Sequence, residues 1–386
     1  MRGGRRAAAL IEDSADIVLD GVTLFGAQMA LRTARVNGLR ITDSALRGHA
    51  APWHSRAHHK YRAQAGYLVI ADGDNFEFEN CELTDNHDFL LLFGVENIRI
   101  HGCLVDNFND DGFEPGPKRA HGKILIFQNL ITRCLSPFTA HGKKPVPVDS
   151  EPGSGVYVFR NIADLRRGIY KFPPEKPDPS GAFLDEPVEI LAHDHGSPLH
   201  PNYYVYQNTF LMRRGGASDS YAFTWGAHTH GTARRVFNNL FVQAEGTPRN
   251  VFTALSAEDD FQSDANLFWS LKGEEPQSLE IFAKFRQSPL FAASRRQYAP
   301  GWGNSDILAD PQFVSPDKVG ARPCDLRLRE SSPAARAGIA LPADWPDPLR
   351  PAGEARPDIG ALPIGADAPR FGIHGRIAVD GTESKP

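Results

Sequence analysis

Apolar and polar residues alternate along this chain in short runs such as Phe76-Glu77-Phe78-Glu79, Ile124-Leu125-Ile126-Phe127 and Tyr203-Tyr204-Val205-Tyr206. Side chains facing inward at every second residue mark a strand with one buried face, and the β-branched and aromatic content agrees. Each run ends at a small or amide residue: Asn80, Asn129, Asn161, Asn208, Asn239 and Asn266, with Ser44 and Gly102 in the same place. The shortest step, Asn80 to Gly102, is 22 residues, and the other steps are that unit with loop insertions. A repeat of this size is too short for a helix pair and predicts an all-β solenoid. The bend after each strand calls for a residue that tolerates left-handed backbone. An amide side chain stacked on its twin about 4.8 Å away can also form a hydrogen-bonded ladder. One asparagine per turn is expected to do both.

These strand-plus-asparagine repeats, from about Asp13 to Phe268, resemble the right-handed parallel β-helix proteins of the pectate lyase and polygalacturonase type. Asn304 to Phe313, Asp325-Leu326-Arg327-Leu328 with Ser332 to Gly338, and Pro357-Asp358-Ile359-Gly360-Ala361 look like the closing segments of secreted bacterial β-helix proteins. The resemblance implies a right-handed parallel β-helix (β-solenoid) with loop insertions and a C-terminal cap. Rungs would occupy residues 1–270, a final rung and capping segment 271–365, and a tail 366–386. It also implies a secreted or periplasmic protein, although Met1 to Leu10 lacks the apolar core of a signal peptide. Such proteins carry a cap before the first rung, whereas here Ile17 to Leu24 begins almost at once. The expectation is that the N-terminal cap is missing from this sequence, the alternative being a short cap helix over Arg5 to Ile11.

Composition narrows the function. The 386 residues could hold two average domains, but a solenoid runs long as one unit. A net charge of -5 and a pI near 6.3 argue against nucleic-acid binding. Among four cysteines, Cys81 and Cys103 follow equivalent positions on adjacent rungs and are expected to stack as thiols rather than bridge. No apolar run of about 18 residues occurs, so no membrane span is expected. A monomer is expected. Gly- and Pro-rich insertions at His49 to Gln64, Pro115 to Lys123, His141 to Gly153 and Pro173 to Pro201 suit the walls of a binding site. A helix is expected over Leu279 to Phe285.

Residues at equal offsets from the repeated position stack along the axis of a solenoid. Asp88 and Asp110 share one offset, His87 and Asn109 another, Asp85 and Asn107 a third. With Asp111, Glu114, His141 and Lys171 they gather on one wall, which also holds Lys118, Arg119, Lys123, Lys143, Lys144, Arg166, Arg167, Arg213 and Arg214. Carboxylates one rung apart repel by several kcal/mol unless one is protonated or a cation lies among them. Two chemistries use such a cluster. In an inverting glycosidase one carboxyl protonates the leaving oxygen while another activates water. In β-elimination from a uronate, Ca²⁺ held by carboxylates acidifies the C5 proton for removal by a base.

The order Asp88, Asp110-Asp111, His141-Gly142, Arg167 and Lys171 resembles the polygalacturonase pattern. The departures are Asn86-His87-Asp88 for Asn-Thr-Asp, Ala140 before the histidine, and a widened Arg167 to Lys171 pair. The lyase reading takes Asp88, Asp110, Asp111 and Glu114 as Ca²⁺ ligands and His141, Lys171 or Arg167 as the base. Trp53, His58, His59, Tyr61, His87, Lys118, Lys143 and Tyr170 would bind an acidic polysaccharide or oligosaccharide by stacking and charge. Such a lyase is the first expectation, a polygalacturonase-like hydrolase the second, and an epimerase or glycan-binding protein the third. His193 and His195, and His228 and His230, alternate in a way that permits a transition-metal site.

Overall fold

The computed structural model describes residues 7–25, 29–48, 67–93, 96–116, 122–139, 152–166, 191–192, 202–212, 233–244, 260–271, 276–316, 325–350, 353, 356–373 and 377–378. Its strands stack as long parallel sheets, the arrangement of a parallel β-helix. The described turns from Ala7 to Ala192 visit three faces in order, and the later ones show the first two. Face one is a nine-stranded sheet from Ala15–Asp20 through Gly73–Glu79, Lys123–Phe127 and Tyr203–Tyr206 to Phe261–Asp264. Faces two and three join into one fifteen-stranded sheet because Leu104–Gly116 and Leu130–Thr139 bend through both. Their first halves pair within face two, with Glu82–Asn86 and Ile162–Leu165. Their second halves pair within face three, with Asp88–Phe93 and Leu191–Ala192.

Alternation sorts the side chains. Ile41, Phe78, Ile100, Ile126, Val158, Val205 and Val236 point inward from face one into a single apolar core. Their neighbours Phe127, Phe159 and Tyr206 point outward and stack on one another at 4.9 and 5.2 Å. Stacking of this kind follows from parallel register, which sets like residues above like.

The bend after face one divides the two tasks expected of asparagine between adjacent residues. Left-handed backbone falls on Asp43, Asn80, Gly102, Gln128, Arg160, Gln207, Asn238 and Ala265, with φ between 46° and 65°. The ladder is built by the next residue: Asn129, Asn161, Asn208, Asn239 and Asn266. Each amide oxygen accepts the backbone N–H of the previous rung, as Asn208 does from Asn161 at 3.0 Å. Asn80 and Gly102 therefore belong to the bend, and Cys81 and Cys103 hold the ladder place. Their thiols stack unbridged, with the Cys81 N–H 3.4 Å from Cys103 Sγ.

At the far end, helix α1 (Pro276–Arg286) covers the expected helical stretch and is followed by α2 (Pro289–Ser294). Phe282 packs on Phe268 at 5.1 Å, and Trp302, fully buried, meets Phe261 edge-on at 5.1 Å. Residues 325–350 and 356–372 run back along the outside of the coil. Leu326, Leu328, Ile359, Ala361 and Phe371 pack on the outward residues Leu104, Leu130, Ile162 and Leu240 of face two, and Trp345 packs on Tyr206 of face one. The bend residues hold this strap. Arg160 pairs with Asp347 at 2.8 Å and donates to the Gly360 and Ala361 carbonyls, while Asn238 exchanges hydrogen bonds with Ile339. Gly360 (φ 105°) lies so close to the coil that a Cβ there would stand 2.6 Å from Leu240 Cδ1. At the other end Ala7–Glu12 is a strand paired with Met29–Ala34, so the described part of Arg5 to Ile11 is not a helix.

Candidate functional site

Face three brings the sequence-derived acids together. Strand Asp88–Phe93 pairs with Tyr67–Ala71 through Asp88↔Tyr67 and with Leu104–Gly116 through Leu90↔Phe113. Two positions before Leu90 and Phe113 stand Asp88 and Asp111, and Asp111 pairs with Ser136 on the next rung. Tyr67, Asp88, Asp111 and Ser136 thus occupy one level of four successive turns. One to two residues further along these strands the core is aromatic: Phe113 stacks on Phe138 at 5.6 Å, and Phe89 meets Phe113 edge-on at 5.1 Å. Asp88 and its neighbour His87 are buried, 7% and 5% exposed, where a charge can be kept only by partners close at hand. The His87 backbone N–H donates to Asn86 Oδ1 at 2.9 Å.

The offset that equates Asp88 with Asp110 holds only as far as Asn86↔Phe108. Between Phe108 and Asp111 the strand carries one residue more than either neighbour, so the partner position of Asp88 passes to Asp111, and Asp110 stands one place before it. An extra residue of this kind is a β-bulge, which bends its strand and re-aims side chains, and bulges gather beside active sites. The expected contact of Asp85 with Asn107 is present, Asn107 Nδ2 donating to Asp85 Oδ1 at 2.7 Å. Both residues are left-handed, as is Arg133 on the next turn, so a second row of bends separates faces two and three.

Acids on the outer side of face two are matched to arginines. Asp106 accepts from Arg133 Nε at 2.6 Å and Thr132 Oγ1 at 2.7 Å, Glu82 pairs with Arg47 at 2.7 Å, and buried Asp164 with buried Arg166 at 2.8 Å. Arg166 is therefore a structural partner on face two. Lys123 begins a strand of face one, its Nζ 5.2 Å from the centre of the Tyr157 ring. Neither belongs to the wall that the sequence assigned them: Arg166 pairs back onto face two, before the chain reaches face three, and Lys123 lies on face one, after the chain has left it.

Asp110, Asp111 and Glu114 are described by backbone position alone, Glu114 opposite Leu91. His141, Lys171, Arg167, Trp53, His58, His59, Tyr61, Lys118, Lys143 and Tyr170 lie outside the described residues, as do His193, His195, His228 and His230. Among the described side chains no three His, Cys, Asp or Glu groups converge as metal ligands, and three of the four residues expected to hold Ca²⁺ are not among them. Tyr67 and Ser136 are the members of this level that the repeat count missed. The insertion before Tyr67 hides its rung, and matching Tyr67-Leu68-Val69 to Asp88-Phe89-Leu90 would have exposed it. No family model matches the sequence, and no curated protein does.

Proposed function

We propose that this chain is a right-handed parallel β-helix enzyme of the pectate lyase type that cleaves an acidic, uronate-containing polysaccharide by β-elimination. The observation that supports it most is the alignment of Asp88 and Asp111 at one level of adjacent turns, beside a bulge that also carries Asp110. In this reading Asp88, Asp110, Asp111 and Glu114 hold Ca²⁺, which would offset the substrate carboxylate and acidify the C5 proton. His141 removes that proton, since imidazole titrates near neutrality unaided, and Lys171 and Arg167 contribute positive charge. Trp53, His58, His59, Tyr61, His87, Lys118, Lys143 and Tyr170 bind the chain of sugars. Secretion or periplasmic export suits such a substrate, and no helix among the described residues is long and apolar enough to cross a membrane.

The order Asp88, Asp110-Asp111 also supports an inverting hydrolase, in which the cluster is relieved by a proton instead of a cation. Incubation with uronate polymers separates the two. A lyase raises both ultraviolet absorbance, from unsaturated product ends, and reducing ends; a hydrolase raises reducing ends alone. A glycan-binding protein changes neither, and that result would overturn both readings.

A further inference from the structure

The last turn of the coil buries two carboxylates at one junction. Asp264 ends the final strand of face one, and all but 1% of it is covered. Its Oδ1 accepts from the Ala265 and Ser305 backbones at 2.9 and 2.5 Å, and its Oδ2 from the Tyr298 hydroxyl at 2.9 Å. Asp306 stands where the ladder of asparagines would place its next member. Its Oδ1 accepts from the Asn266 backbone at 2.8 Å and more weakly from the Asn266 amide at 3.4 Å. Its Oδ2 is buried with no hydrogen-bond partner. Arg286 of α1, whose charge acts on Asp306, spends its guanidinium on the backbone carbonyls of Gly303 and Asp306, at 3.1 and 2.7 Å.

We infer that Asp306 is a proton-operated latch, which in its neutral form seals residues 276–306 onto the last turn and on ionising loosens them. An asparagine at this place would satisfy the ladder without charge; an aspartate does so only when protonated. Residues 303–306 are the seam between the helical segment and the coil, through Gly303 N–H to the Ser263 carbonyl and Ser305 N–H to Asp264. Trp302 is held at the same seam by Nε1 donating to the Phe261 carbonyl at 2.7 Å. Ionised Asp306 would add a second negative charge beside Asp264 in a buried junction, where each charge is costly.

Burial first, and then the Asp264 charge, raise the Asp306 carboxyl to about 7, against the pull of Asn266 and Arg286. Burial raises Asp264 as well, and its hydrogen bonds from Ser305, Ala265 and Tyr298 oppose the shift. A carboxyl raised in the folded state holds its proton more tightly there than in the unfolded chain. The stabilisation is complete below the unfolded value of 3.8 and is lost as pH rises through about 7.

Thermal melts of the full chain, wild type and Asp306→Asn, from about pH 4 to about pH 9 test this, with hydrogen exchange of both at about pH 8.5. The two Tm values should agree at the acid end and part by roughly 5 °C at the alkaline end, Asp306→Asn being the more stable. Wild type should then exchange faster than the variant within residues 276–306. Parallel melting curves, or an exchange difference confined to other segments, would overturn the latch. If Asp306→Asn does not fold, Asp264→Asn decides: removing the neighbouring charge lets Asp306 ionise more easily, so the loss of Tm must shrink and end at lower pH, and an unmoved loss refutes the proposal.

Discussion

At the scale of single residues the repeat is a pair, one residue for the bend and the next for the ladder. The division explains why Gln128, Arg160 and Ala265 are tolerated in left-handed backbone at all. That conformation costs about 1–2 kcal/mol outside glycine and asparagine, and the hydrogen bonds of the adjacent amide offset it. Asn208 accepts from Asn161 and donates to the Val158 and Tyr206 carbonyls and to Asn239. Asn208→Ala leaves several buried groups unsatisfied, each worth about 1–3 kcal/mol, so urea unfolding should show a loss on the order of 3 kcal/mol or more. Asn80→Ala, at a bend position, should cost about 1 kcal/mol. The thiols carry a second expectation. Burial, and then the hydrogen bond with Cys81, push the Cys103 thiol well above its ordinary range. Cys81, Cys103 and Cys134 should therefore resist alkylation in the native protein and react on unfolding, as mass spectrometry of labelled peptides would show.

At the scale of elements, the strands and α1 were legible because periodicity of two, or of about 3.6, appears in the sequence directly. The strap was not. Ser332 to Gly338 and Pro357 to Ala361 are recognisable as closing motifs, but nothing local in them says that they lie along the side of the coil. That placement comes from contacts such as Arg160 with Asp347 and Gly372 N–H with the Gly102 carbonyl, far apart in sequence. The bulge in Leu104–Gly116 escaped for a similar reason: an extra residue is invisible until both neighbouring strands fix the register. Asp347→Ala leaves the Arg160 guanidinium, 2% exposed, without its counter-ion, which should destabilise by about 3–5 kcal/mol. The double variant Arg160→Met with Asp347→Ala should recover part of that loss in denaturant melts.

At the scale of the whole molecule, a coil in parallel register turns sequence offsets into neighbourhoods, which is why the level of the face-three acids was legible in the sequence. Asp85 and Asn107 meet as the offsets require, and Asp88 finds an aspartate on the next turn, displaced by one residue. The basic strip was less legible, because a count of residues does not say where the chain turns a corner: Arg166 stays on face two with Asp164, and Lys123 already lies on face one. The proposed activity rests on the acids of face three acting on a uronate polymer. The most direct measurement is the release of unsaturated ends by wild type, Asp110→Asn and Asp111→Asn, with and without EDTA. Wild type should be active and lose activity to EDTA, and both variants should fall on the order of a hundredfold at unchanged Tm. Wild-type turnover in both variants, or full activity after EDTA, would contradict it.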